Sequence, residues 1–191
     1  MPNEDSTAKS VARVEPVPSP FPPELQALFD RIMPPGVPPL VLFTTLARVP
    51  RIYDRFRAAS LLDRGPLSLR QREIVINRTC ARCGCVYEWG VHIALFAQKA
   101  GLAPDQMQAM VLNDADDPVW SQDEKLLLRI VDELHGSANL SDELWGSLAA
   151  TFSIEQVFEL IALVGFYHTV SFFANGLRLA PEPYGVPFPP N

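Results

Sequence analysis

Within residues 71–92 the sequence gathers two carboxylates, three thiols and one imidazole: Glu73, Glu88, Cys80, Cys83, Cys85 and His92. On a helix starting near Gly84, the residues Cys85, Glu88, Trp89 and His92 stand at i, i+3, i+4 and i+7, so thiol, carboxylate and imidazole share one face. Such a start puts Cys85 in the first turn, where free backbone N–H groups and the helix dipole favour a thiolate. It also lets His92 exchange protons with Glu88 one turn away. Glu73 belongs to the preceding helix, whose antiparallel return would bring it beside Cys85. Two carboxylates and an imidazole in a partly dry cleft push one another's pKa values apart, as paired acid and base roles require. Tyr87 and Trp89 are expected as pocket walls, with ordinary core positions as the alternative.

Each of these residues also has a plain structural reading. Arg72 and Glu73 would be solvated charges on an exposed helix face, Glu88 and His92 a surface pair, and Cys85 a small buried hydrophobe. Cys80, Cys83, Cys85 and His92 have the composition of a zinc ligand set, but Cys83-Gly84-Cys85 is too tight for the usual chelate loops, and no metal is expected. Cys80 and Cys83 form a Cys-x-x-Cys and are candidate redox thiols. His135 reads as a charge complement to a helix C-terminus, and His168 is assigned no role. Among the glycines there is no phosphate-binding loop, so no nucleotide cofactor is expected.

Helices must position these groups. Ser68, Ser121 and Ser153 each precede a Gln or Glu by three residues, the spacing of a capping box at a helix start. Gly101 and Gly136 follow apolar-periodic runs and are read as helix stops. The pattern predicts helices near 22–33, 40–48, 50–62, 69–81, 84–100, 104–112, 121–135, 141–151 and 154–178, with no competing alternation of strand type. The last of these is apolar almost all round, through Val157, Leu160, Leu163, Val164, Val170 and Phe173, and is expected to be the central core helix and a subunit interface together. Proline clusters set off an N-terminal tail at 1–21 and a C-terminal tail at 181–191, leaving an all-α domain at 22–180 that associates as a homo-oligomer (dimer, trimer or hexamer), with tails that reach across subunits.

The chain has 191 residues, 48% hydrophobic, enough for one core that needs no staple. A net charge of −6 has the wrong sign for binding nucleic acid through phosphates. Met1 to Pro23 lacks the apolar run of a signal peptide, and the strongest apolar stretch, Leu160 to Tyr167, falls short of the roughly 18 residues that span a bilayer. With three clustered cysteines, the expectation is a cytoplasmic protein with no membrane partner and a small-molecule substrate.

The interval of twelve from Glu73 to Cys85, with His92 seven residues on, resembles the active-site signature of the carboxymuconolactone decarboxylase-like and alkylhydroperoxidase D (AhpD)-like superfamily. The resemblance extends over about 22–180 through Leu62 to Leu67, Arg72-Glu73, Tyr87-Glu88-Trp89, Val131 to Leu134, and Val164-Gly-Phe-Tyr167 with Val170, Ser171 and Asn175. It implies an AhpD-like helical fold in which Glu73 is the proton-relay carboxylate, Cys85 the first cysteine and His92 the terminal histidine. Glu88 stands where peroxidase members have their second cysteine. Decarboxylase members work by acid and base without a metal or organic cofactor, and Glu73, Glu88 and His92 are compatible with that. The implied function is therefore cofactor-independent decarboxylation or isomerisation of a small organic acid or lactone. The alternatives are an AhpD-like thiol peroxidase using Cys85 with Cys83 or Cys80, and a non-catalytic binding module.

Overall fold

The computed structural model describes residues 11–34, 36–61 and 63–190; residues 1–10 of the expected N-terminal tail and Leu62 lie outside the described residues. Among the described residues there are nine helices and no strand: α1 (Pro23–Ile32), α2 (Val41–Leu46), α3 (Pro50–Ala58), α4 (Leu69–Arg82), α5 (Val86–Phe96), α6 (Pro104–Leu112), α7 (Gln122–Ser137), α8 (Asp142–Thr151) and α9 (Ile154–Leu177). The three capping boxes form at Ser68, Ser121 and Ser153, each hydroxyl accepting from the backbone N–H three residues on.

α3 and α5 end earlier than expected, at Ala58 and Phe96, and two further boundaries depend on which residue turns left-handed. Gly84 takes φ +58°, which ends α4 and makes Cys85 the N-cap of α5 instead of a first-turn residue. At the other end, α7 runs through Gly136 to Ser137, and Ala138 adopts the left-handed position at φ 55°. Gly101 does stop the chain as read: it takes φ +65°, and Leu102 N–H returns to the Ala97 carbonyl at 3.0 Å.

The centre of the molecule is α4, not α9. Packed against α5, α6, α7 and α9, it buries every residue from Arg72 to Cys80. Four of those nine side chains, Arg72, Glu73, Asn77 and Arg78, carry charge or an amide, so the helix looks solvated in sequence and is enclosed in space. Burial is possible because partners meet the polar groups. Arg78 donates to both Asp132 oxygens (2.9 and 2.7 Å) and to the Met110 and Asn113 carbonyls (2.7 and 2.9 Å). Arg72 donates to the Leu61 and Asp63 carbonyls.

By length and composition α9 is apolar enough to cross a membrane, which the short apolar run had not implied, yet half of it is buried inside this bundle. Its Phe158 and Phe172 stay exposed, on the helix assigned to a subunit interface. The described part of each proline-rich tail lies along the chain's own helices. Arg13 N–H reaches the Leu177 carbonyl (2.9 Å) and Val17 N–H the Thr44 carbonyl (3.0 Å). At the other end the buried Glu182 carboxylate accepts from Val41 N–H at the start of α2 (2.6 Å) and from the Tyr87 hydroxyl (2.5 Å). Gly90 allows the C-terminal tail to cross α5: a Cβ there would stand 2.9 Å from the Val186 carbonyl oxygen.

Candidate active site

Glu73 sits one turn into α4 and Asn77 one turn further, where its amide donates to the Glu73 carboxylate (3.1 Å) and carbonyl (2.8 Å). The carboxylate is thereby aimed at α5, and Oε2 lies 2.9 Å from His92 Nδ1. On α5, Glu88 and His92 are one turn apart, with Glu88 Oε1 3.3 Å from His92 Nε2. Tyr167 of α9 closes the ring, its hydroxyl 3.2 Å from the same Nε2. All three side chains of the Glu73–His92–Glu88 row are at least nine-tenths buried.

Burial by itself pushes the His92 pKa down; the charge and hydrogen bond of Glu73, reinforced by Glu88, reverse this and hold it up to about 10. His92 is therefore an imidazolium at neutral pH, donating Nδ1–H to Glu73 and Nε2–H between Glu88 and Tyr167. Glu88 Oε2 and Asn77 Oδ1 are buried with no hydrogen-bond partner. Glu88 also lines a cavity of about 660 Å³, together with His92 and Tyr167. Leu42, Val91, Phe96 and Phe166 supply apolar wall, while Arg31, Arg57 and Asp63 supply charge. A buried acceptor left empty beside a mostly apolar cavity is the arrangement of a site that awaits a donor.

The structure brings Glu73, Glu88 and His92 together and leaves the other expected site residues out. Cys85 is fully buried, does not line the cavity, and its thiol is pushed up to about 11, chiefly by burial. The expected first-turn thiolate fails because an N-cap side chain packed into the core loses more by desolvation than the helix end returns. Cys80 is likewise fully buried, with its thiol raised well above the ordinary range by desolvation. Tyr87 and Trp89 are not cavity walls: the Tyr87 hydroxyl accepts from Leu42 N–H and donates to Glu182, and the Trp89 indole donates to the Pro187 carbonyl while stacking near Phe188. Both hold the C-terminal tail. Of the thiols and imidazoles weighed as a zinc set, only Cys83 joins a close group of donors, and its companions are His135 and His168.

Tyr167 and Asn77 were missed as site residues. Asn77 had a signal, since it stands at i+4 from Glu73. For Tyr167 the hint was a hydroxyl on an otherwise apolar helix, where a buried tyrosine tip needs a partner.

Residues 47–132 match the model of the carboxymuconolactone decarboxylase family. Over this stretch the chain is similar to the carboxymuconolactone decarboxylase family, and its fold is that of AhpD-like proteins. The family's matched stretch holds Glu73, Glu88 and His92, whereas Tyr167 and the cavity residues of α1 and α2 lie outside it. An uncharacterized peroxidase-related protein from Silicibacter sp. TM1040 superimposes with a TM-score of 0.80 at 19% identity, covering 96% of this chain and 100% of the other. A second peroxidase-related protein, an alkylhydroperoxidase AhpD core from Ralstonia eutropha JMP134, gives 0.70 at 19% identity over 92% and 95%. A cysteine-to-alanine variant of the debrominase Bmp8, in complex with 2,3,4-tribromopyrrole, gives 0.72 at 14% identity over 90% and 92%. At these identities the superfamily likeness speaks to the fold. No curated protein matches the sequence.

Proposed function

We propose that this chain is a cofactor-independent enzyme that moves protons on a small organic acid or lactone, decarboxylating or isomerising it. The observation that carries the reading is the unpartnered Glu88 Oε2 beside the cavity, backed by the His92 imidazolium. In this scheme Glu88 Oε2 takes the proton from the substrate's acidic carbon and, in an isomerisation, returns it at the far carbon of the enolate; in a decarboxylation CO₂ leaves with the bond pair kept as the enolate, which takes its proton from solvent water at the same place. His92 Nε2–H, released from the now neutral Glu88, turns its charge toward the substrate oxygen where negative charge develops. Glu73 and Asn77 fix the imidazole, and Arg31 and Arg57 on the cavity wall, outnumbering Asp63, favour an anionic substrate.

The thiol peroxidase alternative rests on the names of two structural neighbours, and the buried, protonated Cys80 and Cys85 argue against it. The debrominase neighbour holds a small heteroaromatic ligand, which supports a small-molecule cavity in this fold. The exposed Phe158 and Phe172 support self-association into a homo-oligomer, which light scattering would report. To test the activity, β-keto acids and unsaturated lactones are followed by proton NMR in D₂O. Solvent deuterium incorporation or CO₂ loss should vanish in Glu88→Gln and persist in Cys85→Ser. Hydroperoxide turnover that depends on Cys85 would overturn the reading.

A further inference from the structure

At the far end of α4 a second group of chemically competent side chains assembles from three elements. Cys83 caps α4, His135 lies in the last turn of α7, and His168 sits midway along α9. Cys83 Sγ, His135 Nδ1 and His168 Nε2 all lie within 4.8 Å of one another. Individual separations are 4.0 Å from Cys83 Sγ to His135 Nδ1 and 2.9 Å from His135 Nδ1 to His168 Nε2. This is not the site already described. Cys83 is ten residues beyond Glu73, about 15 Å along the helix at 1.5 Å per residue. His168 follows Tyr167 directly, so its side chain leaves α9 about 100° round from the one that reaches His92.

We propose that Cys83, His135 and His168 form a binding site for a divalent metal ion of borderline softness, Zn²⁺ or a similar transition ion. Three features carry it. First, one thiolate and two imidazoles are the donors such ions select, whereas Mg²⁺ and Ca²⁺ require oxygen. Second, His168 is already oriented: Nδ1–H donates to the Val164 carbonyl at 2.8 Å, which fixes the tautomer and leaves the Nε2 lone pair facing the other two donors. Third, the spacing is close to that of a loaded site. Tetrahedral coordination at ordinary bond lengths puts two imidazole nitrogens about 3.3 Å apart and sulfur about 3.6 Å from each. The two separations that involve His135 lie about half an ångström from these values, and the Cys83–His168 pair, within 4.8 Å, closes by rotation of the half-buried Cys83.

The surroundings permit a cation. Arg82, the nearest basic neighbour in sequence, is held on Asp132, which it shares with Arg78, through two hydrogen bonds of 2.7 and 2.9 Å. Without metal, His135 Nδ1–H donates to His168 Nε2; on loading, that proton relocates to His135 Nε2 and the Cys83 thiol proton goes to solvent. Three protein ligands leave the fourth position to water. His135 is exposed at a helix end, which leaves the site open to solvent.

The test is a Co²⁺ titration of the full, tag-free, reduced chain. One equivalent should give a thiolate-to-cobalt charge-transfer band and intense tetrahedral d–d bands, both removed by Zn²⁺. The bands should be lost in Cys83→Ser and in His168→Asn, and kept in Cys80→Ser and Cys85→Ser. A weak octahedral spectrum in the parent protein, or a charge-transfer band that survives Cys83→Ser, would overturn the proposal. Histidine-ring NMR of the parent protein keeps the test independent of any variant's folding. Zn²⁺ should shift the His135 and His168 rings and leave His92 unmoved; no shift at either ring would also overturn it.

Discussion

Helix α4 carries two buried charge clusters one turn apart, and they are built to different specifications. Around Arg78 the accounting closes: its guanidinium reaches both Asp132 oxygens and two backbone carbonyls, and Asp132 also accepts twice from Arg82. Around Glu73 and His92 it stays open, because Glu88 Oε2 and Asn77 Oδ1 are enclosed without partners. A saturated cluster fixes how α4, α6 and α7 meet. An unsaturated one, held against a cavity, keeps hydrogen-bonding capacity for something that arrives later. Buried charge alone therefore does not mark a site in this protein; an unfilled carboxylate oxygen beside the cavity does.

The comparison breaks most directly at Asp132. Asp132→Ala strands the Arg78 guanidinium, whose side chain is 0% exposed, and should cost about 3–5 kcal/mol in urea unfolding. A loss below about 1 kcal/mol would mean that the saturated cluster is not structural. Glu88→Gln should do the reverse, lowering turnover of the proton-transfer substrate by about 10²–10⁴-fold while leaving the unfolding midpoint nearly in place. If stability falls and activity survives, the two clusters have been assigned the wrong way round.

The third effect is a pH dependence. The folded His92 pKa is raised to about 10, against about 6.5 in an unfolded chain. Its contribution to stability is thus fully present below about pH 6.5 and is lost as pH rises toward about 10. A ring titration by NMR should place the parent His92 high and move it down in Glu73→Gln, because the stronger of the two attractive charges has gone. An unchanged value would remove Glu73 from its positioning role. The smallest effect is expected at Arg82→Ala. This arginine shares Asp132 with Arg78 but is about a third exposed, so its loss should change stability by no more than about 1 kcal/mol. Asp132→Ala and Arg82→Ala together measure what burial adds to the same carboxylate.

Much of this molecule is legible in local sequence because the governing interactions are local. The serine capping boxes place the starts of α4, α7 and α9, and the i, i+4 spacing of Glu88 and His92 sets them on one face. The all-α class follows from the same short-range periodicity. Less legible was the depth of α4, where Arg72 and Glu73 have a solvated face as their plain reading and Asn77 and Arg78 give no local sign of burial, until Asp132, His92 and the carbonyls around them are in view. Ranking α9 as the central helix on apolarity alone failed for that reason: burial is set by neighbours, and a paired charge can lie deeper than an unpaired phenylalanine such as Phe172.

By itself, then, the sequence determined where helices begin and which residues of α4 and α5 could meet, since caps, periodicity and turn residues act over a few positions. Tertiary structure alone decided three further things. It brought Tyr167 to His92 across 75 residues. It sank Cys85 and Cys80 away from the cavity, where desolvation keeps their thiols protonated. And it gathered Cys83, His135 and His168 from three helices. Each depends on how long helices pack and on the dielectric that packing creates, and neither is written in the spacing of adjacent residues.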